Sequence, residues 1–191
     1  MRILAGKWAG MDLTSPSGRV RPTAEGVRGG WMEALGPLLR GAKLLELYAG
    51  SGALGLEAIS RGARSCDFVE NNASAIHALK ANVARVRARK QTRIFVRDAL
   101  EFATRLPAGS YDLALADPPY GSKQLDRLLE AWHARPFAGT LAVEHATDHT
   151  LSASGRSHRF GETTVTIFEV APAALSALPS RLPPGVSRHR D

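Results

Sequence analysis

The sequence predicts an α/β fold: a mostly parallel sheet with helices on both faces. Three observations carry this. From Lys43 to Val170, apolar strand-like runs alternate with helical ones. Several of those runs are apolar throughout, as strands buried on both faces are. The last of them form a pair broken by a single glycine, which reads as a terminal hairpin.

The elements follow in order. Residues from Met1 to Leu38 are basic and rich in glycine. There, "RILAGKWAGMDLTS" reads as two short strands turning at Ala9 and Gly10. "PTAEGVRGGWMEALGPLL" has a weak helical pattern, opposed by Gly26, Gly29 and Gly30 at about 1 kcal/mol each. "KLLELY" is the first sheet strand, followed by a glycine loop and the helix "ALGLEAISRG", closed by Gly62. "SCDFVE" is the second strand. A long helix follows, with Ile76, Leu79, Val83 and Val86 at helical spacing. "RIFVRD" and "YDLALAD" are the third and fourth strands, "KQLDRLLEAW" a helix, and "GTLAVEH" the fifth strand. "RSHRFGETTVTIFEV" is the hairpin, turning at Gly161. Beyond Val170 the chain carries prolines, serines and arginines with no periodic apolar face, and a disordered tail is expected. The expected organisation is an N-terminal extension over 1–40, a main domain over 41–170 and a tail over 171–191.

A chain of 191 residues that is 44% hydrophobic suffices for one buried core. The net charge of +7 suits a polyanionic partner. The single cysteine, Cys66, rules out an internal disulfide and fits a reducing compartment; its apolar strand predicts a buried thiol. The first ten residues lack the apolar run of a signal peptide. No apolar stretch approaches the roughly 18 residues of a membrane helix. A soluble, cytoplasmic protein is expected.

Two sites carry the chemistry. "ELYAGSGALGLEA" places Gly50, Gly52 and Gly55 in G-x-G-x-x-G between a strand and a helix, where backbone can approach a ligand at the positive helix end. Glu70 lies 20 residues past Gly50 at the end of the second strand, where an acid meets ribose hydroxyls. A nicotinamide enzyme fits this spacing too. However, Glu46 near the end of the first strand and Asp98 after the third would crowd an anionic pyrophosphate, and they suit the cationic S-adenosylmethionine. Asp98 reads equally as a helix cap.

The second site is "DPPY", Asp117 to Tyr120, ending the fourth strand. A base's exocyclic amine is a poor nucleophile, because its lone pair is delocalised into the ring. Asp117 and the Pro118 carbonyl can each accept one N–H and aim that lone pair at a sulfonium methyl. Proline fixes the backbone for this task, and Tyr120 can stack on the base. "EHATDH" brings Glu144, His145, Asp148 and His149 together, but nothing nearby completes a tetrahedral metal set, and no metal is expected. "RVRARKQTR" reads as a solvated helix face or a phosphate-tracking run.

These residues resemble the bacterial 16S ribosomal RNA guanine-N2 methyltransferases of the RsmD type. The likeness runs over most of residues 1–170 through "RILAGKW", "VRPT", "LLELYAGSGALGLEAISRGA", "FVE", "RDAL", "DPPY" and "VEH". The resemblance implies a Rossmann-like class I methyltransferase: seven strands, mostly parallel, with an antiparallel C-terminal hairpin strand and a small N-terminal hairpin extension. It implies cofactor contacts from Glu46, Tyr48, Ala49, Gly50, Ser51, Gly52, Glu70, Asn71, Asp98 and Ala99. Of these, Glu46, Gly50 and Gly52 would meet the methionine part, Glu70 the ribose and Asp98 the adenine. Asp117, Pro118, Pro119 and Tyr120 would hold the guanine, and Arg2, Lys7, Arg19, Arg21 and Arg28 would contact RNA. The implied partner is ribosomal RNA within the small subunit, with no membrane and a monomeric enzyme. Three features depart from the family pattern. Glu46 stands for an aspartate, Asn71 and Asn72 for charged residues, and Gly29 and Gly30 fall within a stretch that usually reads closer to "VREALFNWL". Adenine N6 as the methyl acceptor, and an inactive RNA-binding assembly factor, are the alternative readings.

Overall fold

The computed structural model describes residues 1–16 and 25–170. Arg19, Arg21 and the expected tail lie outside the described residues.

Seven strands form one sheet: β1 Lys43–Leu47, β2 Ser65–Glu70, β3 Thr92–Val96, β4 Tyr111–Ala116, β5 Ala138–Ala146, β6 Arg156–Phe160 and β7 Thr163–Glu169. Their order is β3-β2-β1-β4-β5-β7-β6. The first five pair in parallel, and β7 runs antiparallel to both β5 and β6. The chain reverses its direction of winding between β1 and β4, where a doubly covered sheet opens a crevice at its carboxyl end. The register brings Leu47 level with Val69 and with Ala116, and Ala116 level with Val143. The residues that follow these four strands therefore meet at one rim.

Each strand alternates its apolar residues between two cores. Leu44, Cys66, Phe68, Leu113, Leu115 and Ala142 pack on one face. They meet helices α1 (Glu25–Leu35), α2 (Ala53–Ser60) and α3 (Ala73–Arg85) through Trp31, Leu35, Leu56, Ile59, Leu79 and Val83. Leu45, Leu47, Ala114, Ala116, Leu141 and Val143 face the other way. There they meet α4 (Ala99–Thr104) and α5 (Gln124–Ala134) through Ala103, Leu128, Leu129 and Trp132. Cys66 is buried, as its strand predicts.

The two expected N-terminal strands reduce to one antiparallel bridge, Arg2 with Asp12, around a 3-10 turn at Gly6–Trp8. Ile3 N donates to the Met11 carbonyl (2.9 Å) and Leu13 N to the Met1 carbonyl (2.7 Å), while other donors between them turn to a helix. Leu4 and Ala5 donate to the Glu57 carboxylate (2.7 and 3.0 Å) and Trp8 to Ser60 Oγ (2.9 Å), all on α2. The helix opposed by three glycines does form, as α1. Gly30 packs closely there: a Cβ on it would lie 2.2 Å from the Phe160 ring of β6, which would have to shift. The sequence reading missed α4, whose six residues are too few to display a period.

Candidate active site at the carboxyl rim of the sheet

The loop after β1 is wound by left-handed residues. Gly50 (φ 54°) and Gly52 (φ 75°) adopt that region without penalty, but Tyr48 (φ 56°) also occupies it, at a cost of about 1–3 kcal/mol. Glu70 ties the loop down. One of its carboxylate oxygens accepts from Gly50 N (2.7 Å), the other from Asn71 N and Asn72 N (2.8 Å each). The Tyr48 hydroxyl is buried without a hydrogen-bond partner among the described residues, and burial raises its pKa.

Glu46 lies beneath the loop, 3% exposed, and accepts from Gly55 N on the first turn of α2 (2.7 Å). A side chain at Gly55 would sit 2.5 Å from that carboxylate, so glycine there is what lets the acid reach the helix end. Burial pushes the Glu46 pKa up to about 8, with Asp117 and Glu70 adding like charge against the opposing Gly55 hydrogen bond. Asp98 satisfies both of its readings. It caps α4 by accepting from Glu101 N (2.8 Å), and it faces the crevice.

The strand end at Asp117 leads into Pro118, which is buried, and into Pro119 and Tyr120, which are exposed. The Tyr120 hydroxyl donates to Glu144 Oε1 (3.0 Å) and lies 3.1 Å from Thr163 Oγ1. Burial pushes its pKa up to about 12.

All these groups border one cavity of about 650 Å³. Its walls include Glu46, Tyr48, Ala49, Gly50, Ser51, Glu70, Asn71, Asp98, Ala99 and the whole of Asp117–Tyr120. Gly52 is the member of the expected cofactor set that does not border it. A Cβ there would meet Leu79 Cδ1 at 2.3 Å, so Gly52 serves packing and the start of α2. The crevice gathers carboxylates from four strand ends and adds Glu144 of β5, a set that favours a cation and opposes a pyrophosphate.

Among the expected RNA contacts, Arg2 and Lys7 are exposed. Arg28 is not a surface contact: it is 0% exposed, donates to the Arg2 carbonyl and lies 3.8 Å from the equally buried Glu57 carboxylate. Helical geometry explains this, since Arg28 shares the inward face of α1 with Trp31, Met32 and Leu35.

Glu144 was missed as a site residue. Read with its neighbours it resembled half a metal cluster, but the strand separates them. Its Oε2 accepts from Trp31 Nε1 (3.2 Å), whereas His145 Nε2 meets Thr166 Oγ1 (2.8 Å) and His149 meets Asp126 (3.1 Å). Met1, Pro16 and Val27 of the N-terminal segment also wall the cavity, which no sequence signal indicated.

A seven-stranded sheet of this order, with an acidic crevice at the reversal point, defines a Rossmann-like class I methyltransferase. The solved "Putative methyltransferase yhhF from Escherichia coli" superposes with a TM-score of 0.76 at 28% identity, covering 88% of this chain and 97% of that one. The Bacillus subtilis (strain 168) protein named "Putative rRNA methyltransferase YlbH" is 31% identical over 88% of this chain and 98% of its own length. The "Ribosomal RNA small subunit methyltransferase D" of Escherichia coli (strain K12) is 34% identical over 63% of this chain and 60% of its own. Residues 1–169 match the family described as "Conserved hypothetical protein 95", and the chain belongs to that family. No helix among the described residues is long and apolar enough to cross a membrane.

Proposed function

We propose that this chain transfers a methyl group from S-adenosylmethionine to the exocyclic N2 amine of a guanine in 16S ribosomal RNA. The observation that carries this reading is one cavity bordered by both the anchored glycine loop and Asp117–Tyr120. The methyltransferase fold and the names of the relatives support the same class of reaction.

The cofactor supplies an electrophilic methyl on a sulfonium centre. Glu46 meets its positively charged amino-acid end, the loop held by Glu70 lets backbone close on it, and the Glu70 rim faces the ribose. Asp98 and Ala99, at the start of α4, border the adenine. Asp117 accepts one N–H of the target amine and the Pro118 carbonyl the other, which holds the nitrogen lone pair on the methyl. When bound, the cofactor would supply its methyl to the amine nitrogen with the C–S electron pair returning to sulfur, and Asp117 would take the proton that the amine sheds. Tyr120 stacks on the base, which must leave its own stack at a cost of a few kcal/mol. Arg2 and Lys7, on the exposed side of the N-terminal segment, approach the RNA backbone.

Two variants separate these roles. Asp117→Ala should lower transfer about 10²–10³-fold, the scale of one lost preorganised polar group, while calorimetry finds cofactor affinity within threefold of wild type. Glu70→Ala releases the glycine loop and should weaken cofactor binding at least tenfold. Full activity in both variants would refute the assignment.

A further inference from the structure

We infer that Glu144 is a positioning residue that fixes the Tyr120 ring at the mouth of the crevice and makes α1 part of that support. The inference rests on the proposed function for its kinetic consequence, but its structural content stands alone.

Tyr120 is about half exposed, on an irregular loop, beside Gly121 in a left-handed conformation (φ 70°). An aromatic ring in that setting samples several rotamers unless its far end is held. Here it is held. The hydroxyl donates to Glu144 Oε1, and Thr163 Oγ1 lies within hydrogen-bond distance. Glu144 itself is 6% exposed, within the nine-residue strand β5, where the antiparallel pairing of Glu144 with Val165 fixes the backbone. Its second oxygen accepts from the Trp31 indole on α1, which is fully buried. The path Trp31–Glu144–Tyr120 thus joins the N-terminal helix, the sheet and the stacking ring through one carboxylate. The path needs α1 close to the sheet, and Gly30, next to Trp31, is the residue that admits the Phe160 ring against the helix. A ring fixed this way meets an incoming base without first losing rotamer freedom.

The first measurement needs no activity. The chain holds three tyrosines, so 3-fluorotyrosine labelling gives three ¹⁹F resonances, and Tyr120→Phe identifies the one from residue 120. Glu144→Gln and Trp31→Phe should each shift or broaden that resonance and leave those of Tyr48 and Tyr111 in place. An unmoved residue-120 resonance in both variants overturns the inference. The second measurement is methyl transfer from tritiated S-adenosylmethionine to small ribosomal subunits lacking the modification. Tyr120→Phe and Glu144→Gln should each lower kcat/KM for RNA about tenfold, with cofactor affinity within twofold. Trp31→Phe/Tyr120→Phe should lose no more than Tyr120→Phe alone, since both act through one carboxylate. Losses that multiply, or that follow cofactor affinity, overturn it. An inactive wild type would instead count against the proposed function, and the fluorine shifts would still decide the positioning role.

Discussion

Glu46 is a carboxyl group held where burial makes ionisation unfavourable, and the proposed function brings a cation to it. Its pKa rises from 4.5 in the open chain to about 8 when folded. Between those values the folded chain keeps a proton that the unfolded chain releases, so this group's contribution to stability falls as pH rises through that window. Binding a cation reverses the preference, because opposite charge favours the carboxylate. At pH 7, cofactor binding should therefore release nearly one proton, and affinity should climb with pH until about 8. Calorimetry in buffers of different ionisation enthalpy reads the proton directly. Glu46→Gln should remove that release, and a wild type that releases none would contradict the electrostatic account. Sequence reasoning found Glu46 because a strand-end acid four residues before a glycine loop is a local pattern. It could not find Glu144, whose partners Trp31 and Tyr120 are 113 and 24 residues away in the chain and meet it only in the folded molecule.

At the scale of elements, α1 tests how packing overrides propensity. Gly29 and Gly30 both weaken a helix by about 1 kcal/mol relative to alanine, yet their surroundings differ. A methyl group on Gly29 meets only Leu4 Cδ1 at 3.6 Å, an ordinary contact, whereas on Gly30 it enters the Phe160 ring. Gly29→Ala should then raise the melting temperature or leave it unchanged. Gly30→Ala should destabilise by about 1–3 kcal/mol through overpacking, and Phe160→Leu added to it should recover much of the loss. Thermal unfolding of the three variants checks this; a neutral Gly30→Ala would show that α1 does not pack as described. The core strands were legible because their apolar runs are long and their boundaries are marked by Gly62, Pro118 and Gly161. The N-terminal hairpin is shorter than its sequence suggests, a bridge at Arg2 and Asp12 rather than two strands, because the sequence does not reveal that Leu4, Ala5 and Trp8 donate to α2.

Across the whole molecule, the N-terminal segment and the sheet share one core: Ile3, Trp8 and Leu13 pack in the same cluster as Leu44 and Leu115. Glu57 is the polar clasp between them. It accepts from Leu4 N, Ala5 N and Arg61 Nε and faces the buried Arg28. Glu57→Gln leaves the Arg28 charge without its counterion and should cost about 3–5 kcal/mol, with early proteolytic cleavage inside residues 1–16. Unchanged stability and protease resistance would mean that the segment is held by apolar contacts alone. This segment also walls the cavity through Met1 and Pro16, so under the proposed function the surface that meets RNA adjoins the cofactor pocket. The most direct measurement of that union is nucleoside analysis after tritiated S-adenosylmethionine is offered, in parallel, to naked 16S RNA, assembled small subunits and DNA. The account predicts label recovered as N2-methylguanosine from ribosomal RNA, and its near-complete loss with Asp117→Ala. Label on adenine, label on DNA alone, or transfer indifferent to Asp117 would contradict it.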